Sequence, residues 1–138
     1  MSAWQPYIDN LMADKTCQNA TIVGCQTRSV WASTPGPFAS ISPAEIDMLL
    51  TKDRSSLFTN GITLAGQKCS VIRDNLFVET EWTMDIRTKN QSGGPTYNIA
   101  VSKSNQTLVI VEAKEGVHGG VINKKVFEMG DYLRKSGY

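Results

Sequence analysis

The feature that most constrains this chain is a strict two-residue alternation in its second half. In WTMDIRTK, Trp82, Met84 and Ile86 fall on one side, and Thr83, Asp85 and Arg87 on the other. TYNIAVS repeats the pattern, with Tyr97, Ile99 and Val101 opposite Thr96, Asn98 and Ala100. A period of two is that of a strand with two unlike faces. QSGGP between them has hairpin-turn composition, so the two strands are predicted to be antiparallel neighbours. TLVIVEA, from Thr107, is more continuously apolar, as expected of a central strand covered on both faces. Trp82 is accordingly expected in the interior.

Helical periodicity flanks this region. Trp4, Ile8 and Leu11 recur at spacings of four and three, one buried helical stripe. Ser2 and Gln5 have capping-box spacing, although Pro6 falls where an early amide would be wanted. In GGVINKKVFEMGDYLRKSGY, Ile122, Val126, Met129 and Leu133 define a long amphipathic helix, weakened at Gly130. Between these ends, TIVGCQTRSVWA reads as two short strands around a turn, and STPGPF as a loop. SPAEIDMLL reads as a short helix with Ser42 as N-cap, Pro43 first and Glu45 third. The whole is an α+β fold: a central antiparallel β-sheet meander, with the first and last helices packed together on one face. One domain is expected over residues 1–138.

Composition excludes several classes of function. Lys and Arg total 14 against 13 Asp and Glu, so no overall field draws in nucleic acid. The three cysteines, Cys17, Cys25 and Cys69, are an odd number without CxxC pairing or a nearby histidine cluster. That predicts reduced thiols, no metal and no cofactor. Neither a signal peptide nor a membrane span is visible in the sequence, which predicts a cytoplasmic location.

Two constellations invite function. Tyr7 flanks the stripe of the first helix, and Tyr132 adjoins Leu133 in the last, which is followed by Tyr138. If the helices are antiparallel neighbours, these residues and Trp4 converge, with Trp31 as a floor. Such rings either pack as core or form a shallow surface for a polyproline II ligand. The second constellation is KEGVHGGVINKK, where Gly119 and Gly120 precede a helix N-terminus. His118 offers a general base, but no nucleophile or orienting carboxylate stands at recognisable spacing, so a contact or structural role is the stronger reading. Lys68, Arg73, Arg87, Lys89, Lys124 and Lys125 form either a solvated surface or a patch for an acidic protein or phosphoinositide headgroups.

With these residues in view, WQPYIDNLM, KDRSSLFTNGITLAGQKCSVIRDNL, MDIRTKN and KEGVHGGVINKK together resemble animal profilins of the vertebrate type, in register from end to end. The resemblance implies short helices on the second sheet face and no enzymatic activity. It implies a monomeric protein of the cytoplasm and cytoskeleton. Such a protein binds monomeric actin, promotes exchange of its nucleotide and delivers it to barbed ends. It also implies partners among proline-rich proteins such as formins, with phosphoinositide headgroups at membrane surfaces as competitors.

Transferred position by position, the polyproline site falls on Trp4, Tyr7, Trp31, Tyr132, Leu133 and Tyr138. The actin site falls on Phe58, Lys68, Val71, Arg73, Glu81, Arg87, Thr96, Asn98, His118, Gly119, Asn123, Lys124, Phe127 and Glu128. The phosphoinositide candidates are Lys68, Arg87, Arg134 and Lys135. Tyr132 stands where some members carry histidine, and Phe127 where some carry tyrosine. Pro6 and Glu112 depart from the family pattern, and Glu112 is expected to perturb the end of a central strand. The competing readings are a small-ligand sensory domain of similar architecture, which would enclose an apolar pocket between sheet and helix, and a hydrolase built on His118.

Overall fold

The structure, a computed structural model, describes residues 3–90 and 92–138. Ser2 of the proposed capping box and Gln91 of the hairpin turn lie outside the described residues. In chain order the elements are α1 (Gln5–Met12), β1 (Cys17–Gly24), β2 (Val30–Ser33), α2 (Pro43–Leu49), α3 (Ser55–Asn60), β3 (Ile62–Leu64), β4 (Gln67–Asn75), β5 (Thr83–Thr88), β6 (Asn98–Lys103), β7 (Thr107–Ala113) and α4 (Gly119–Lys135). The strands form one sheet in the order β2-β1-β7-β6-β5-β4-β3, and every neighbouring pair is antiparallel.

The apolar strand β7 lies inside the sheet and is buried throughout, because both of its faces are covered. Leu108 and Ile110 point into one core with Ile46 and Leu49 of α2 and Leu57 of α3. Val109, Val111 and Ala113 point into the other, against Ile8 and Leu11 of α1 and Ile122, Val126, Met129 and Leu133 of α4. Both helical stripes read from the sequence are therefore buried on the same sheet face. Alanines at positions 20, 32, 100 and 113 make that face shallow. At Gly130 a Cβ would stand 2.8 Å from Ser102 Oγ on β6, so the glycine that weakens α4 locally lets it settle on the sheet. An alanine here would overpack the contact, a cost of about 1–3 kcal/mol.

Local signals account for the smaller elements. At α2 the capping box forms as read: Glu45 N–H donates to Ser42 Oγ at 3.2 Å, and Ser42 N–H to Glu45 Oε1 at 3.0 Å. The same carboxylate accepts from the Ala65 and Gly66 amides, joining α2 to the β3–β4 turn. Pro6 sits in the first turn of α1, where no intrahelical donor is needed. The STPGPF loop tightens into a 3-10 turn over Pro37–Ser40 that buries Phe38. The pairing of β7 with β1 is irregular at Glu112, as expected, although the strand continues to Ala113. Glu112 Oε1 accepts from Gln18 Nε2 at 3.0 Å and Asn19 Nδ2 at 2.8 Å, while a bulge between Cys17 and Asn19 lets both amides reach it.

Trp82 corrects the alternation. It precedes β5 with φ 54°, a left-handed conformation that takes the ring out of the Met84–Ile86 row. It is half-buried rather than interior, and lies 5.2 Å from the Arg134 guanidinium and 5.5 Å from Lys103 Nζ.

Candidate binding surfaces

The first surface forms where α1 and α4 run antiparallel beside β2. Trp4 is its hub: its ring centroid lies 5.2 Å from Tyr7, 5.2 Å from Trp31 and 4.9 Å from Tyr138, the last pair nearly perpendicular. Tyr7 continues the row to Tyr132 at 6.1 Å. These are separations at which aromatic pairs attract. Burial, then the neighbouring Tyr132, pushes the Tyr7 phenol above its ordinary pKa. Leu133, placed on this surface by the sequence, is fully buried and serves as floor beneath the rings.

Trp31 and Tyr138 are fixed by contacts at their base. Gly24 carries no side chain because a Cβ would lie 2.5 Å from Trp31 Nε1, and that indole N–H donates to Thr27 Oγ1 at 3.0 Å. The Tyr138 main-chain oxygen accepts from Ser104 Oγ at 2.9 Å and from the Gln106 amide, fastening Tyr138 to the β6–β7 turn. Lys125 spans the two helices: Nζ donates to Leu11 O at 2.8 Å and meets Asp14 Oδ1 at 2.5 Å. That clamp, with Thr16, holds the Asp14 carboxyl down at about 2.

The second surface is polar and lies over β4, β5, the start of β6 and the N-terminal half of α4. Arg73 Nε pairs with Asp85 Oδ2 at 3.1 Å, and Asn123 Nδ2 donates to Asp85 Oδ1 at 2.9 Å. Beside them Arg87 donates to Thr96 Oγ1 at 2.8 Å and Asn98 Oδ1 at 3.0 Å. Asn98 Nδ2 in turn donates to Val117 O at 3.0 Å, just before α4. His118 caps that helix, its Nδ1 accepting from Gly120 N–H at 2.9 Å. Gly119 follows it closely enough to Asn98 that a Cβ would stand 3.7 Å from the amide carbon. Lys124, Phe127 and Glu128 are exposed farther along the helix.

Not every transferred residue belongs to this network. Val71 is only 8% exposed and packs in the α2–α3 core, whereas the adjacent Ile72 is 59% exposed. A bulge between Val71 and Arg73 turns both Ile72 and Arg73 outward. Ile72 was missed by the sequence reading, although the adjacent apolar pair in CSVIRD is itself a break in alternation. Asp85, which orients Arg73 and Asn123, was also missed. Phe58 is exposed on α3, in the layer opposite α4, and Glu81 is exposed in the β4–β5 turn. Lys68 lies with Lys89 on a cleft of about 700 Å³ beside Phe38, Tyr97 and Glu112.

The four phosphoinositide candidates divide into two pairs. Lys68 and Arg87 lie on β4 and β5, whereas Arg134 and Lys135 end α4. Arg134 is engaged by Lys103 O and the Trp82 ring, and Lys135 by Asp131 at 2.9 Å. The cysteines are free thiols, two of them buried and Cys25 half-buried. Burial pushes all three up, Cys69 to about 12, which disfavours the thiolate form. Among the described residues no group of three or more His, Cys, Asp or Glu side chains could hold a metal ion.

Known proteins match over the same span. Rat (Rattus norvegicus) profilin-2 is 59% identical over 140 aligned residues, covering 100% of both chains, and human (Homo sapiens) profilin-1 is 57% identical with the same coverage. Among solved structures, mouse profilin IIa in complex with a double repeat from the FH1 domain of mDia1 superposes with a TM-score of 0.97 at 57% identity, covering 99% of this chain and 100% of that one. The family model described as Profilin matches residues 2–138, and with the fold and both surfaces in place this chain belongs to the profilin family.

Proposed function

We propose that this chain is an actin-monomer-binding adaptor: it holds proline-rich assembly factors on its aromatic surface and actin on its polar one. Residues 1–138 act as one domain, without enzymatic activity, in the cytoplasm and cytoskeleton. The observation that carries the reading is the row of tilted, contacting rings from Tyr132 through Tyr7 to Trp4, with Trp31 and Tyr138 against Trp4. A polyproline II ligand is already extended, so little ordering entropy opposes its binding, and its pyrrolidine rings fit between aromatic planes. Tyrosine hydroxyls supply donors for its carbonyls. The related mouse profilin IIa was solved in complex with a double repeat from the FH1 domain of mDia1, which supports a ligand of that class here.

The actin role is assigned to Arg73, Arg87, Thr96, Asn98, His118, Gly119, Asn123, Lys124, Phe127 and Glu128, with Ile72 added and Val71 reassigned to the core. Their mixed charges suit a protein partner approached by electrostatic steering. Binding there would promote exchange of the nucleotide on actin and deliver the monomer to barbed ends. Phosphoinositide headgroups would meet the two cationic pairs separately. The sensory-domain reading loses its basis, because the space between sheet and α4 is filled by Ile122, Val126, Met129 and Leu133.

Calorimetric titration with a proline decamer tests the reading directly. The wild-type chain should bind it, and Trp31→Ala should weaken it by at least tenfold while leaving actin affinity unchanged. Arg73→Glu should do the reverse. A folded wild-type chain that binds neither ligand overturns the proposal.

A further inference from the structure

The aromatic surface does not stop at Tyr7 and Tyr132. Both residues also line a furrow of about 790 Å³ between α1 and α4, with Pro6, Ala13, Val121 and Met129 among its walls. Antiparallel packing sets its direction. Tyr7 faces Tyr132 at the ring end, and Leu11 receives Lys125 farther down, so the furrow leads away from Trp4 and Trp31 toward Ala13 and Val121. Val121 is 45% exposed at that far end, a large apolar group without cover. Lys125 and Asp14 on the furrow wall neutralise one another, and Lys124 and Glu128, assigned above to the polar surface, form the wall on that side, so the furrow lies between the two surfaces.

We propose that this furrow seats the segment that flanks the proline run of the same ligand, holding an apolar side chain against Val121. The inference rests on the proposed proline-rich specificity of the aromatic surface and extends it. From Tyr132 to Val121 the helix advances about 16 Å at its usual rise, which about five residues of polyproline II would span. The occupant is therefore a stretch of about five residues directly outside the run, carrying leucine or a residue of similar shape. Continuity with the ring surface favours this occupant, because a ligand already lying over Tyr7 and Tyr132 enters the furrow without a second encounter.

The test compares a proline decamer with decamers extended at either end by five residues, with leucines in one set and only serine and glycine in the other. The leucine extension should bind about five- to tenfold more tightly than its serine–glycine counterpart, and at one end only. Val121→Asp should remove that gain while keeping the affinity for the plain decamer. This variant places an acid in the first turn of α4, which the helix tolerates well. Equal affinities for the two extensions at both ends, or a gain that survives in Val121→Asp, would overturn the furrow assignment alone. A plain decamer that fails to bind would overturn both this assignment and the proposed specificity. Concentration-dependent dimers that Val121→Asp dissolves would overturn it in favour of self-association through the same furrow.

Discussion

The two surfaces of this profilin are built on opposite plans. The aromatic one gathers rings from three distant parts of the chain onto an apolar base, with Trp4 touching three of the others. The polar one threads hydrogen bonds between neighbouring strands and α4, so that Arg73 and Arg87 are each aimed by acceptors beside them. Ring surfaces of the first kind recognise shape and are largely indifferent to salt. Networks of the second kind recognise charge, and their reach shortens as ionic strength rises.

The hub is the place to break the first surface. Trp4→Ala removes the ring that supports Tyr7, Trp31 and Tyr138 together, and should weaken a proline decamer by about a hundredfold, the scale of a hot-spot aromatic. Actin affinity should stay within about twofold, with circular dichroism verifying the fold. On the polar surface Asp85→Ala frees both Arg73 and Asn123, so actin affinity by fluorescence anisotropy should fall about tenfold while decamer binding persists. Raising salt from about 0.05 to about 0.3 M should weaken actin by about three- to tenfold and leave the decamer almost unchanged. Equal salt sensitivity at both sites would erase the contrast.

The smallest effect lies where the two helices are clamped. Asp14 is held at about 2, below its ordinary value of 3.8, by hydrogen bonds from Lys125 and Thr16. A carboxylate depressed on folding stabilises the native state above its unfolded pKa, and that contribution fades as pH falls from about 4 to about 2. Asp14→Asn should flatten the loss of melting temperature over that interval. Because the carboxylate is half exposed, screening keeps the change small.

Much of this was legible in the sequence because its signals were periodic. Strands β5 to β7, the α2 capping box and the stripes of α1 and α4 all follow from spacing. The convergence of Trp4, Tyr7, Trp31, Tyr132 and Tyr138 followed once the helices were set antiparallel. What escaped was local. Helix α3 spans only Ser55–Asn60, too short for a stripe, and begins where Asp53 accepts from Ser56 N–H at 3.3 Å. Val71, assigned to the binding surface, packs in the core beside a bulge that leaves Ile72 exposed, and Trp82 leaves its row through a single positive φ. At the bulge and at Trp82 local backbone geometry changed which way a side chain faces, something that alternation assumes rather than reveals.

Trp82 has an optical consequence. Its indole lies under the Arg134 guanidinium, whereas Trp4 and Trp31 lie against one another in the ring row. A chain carrying phenylalanine at positions 4 and 31 emits from Trp82 alone. Its intensity then registers displacement of the Arg134 guanidinium from the ring, separately from events in the row that holds positions 4 and 31.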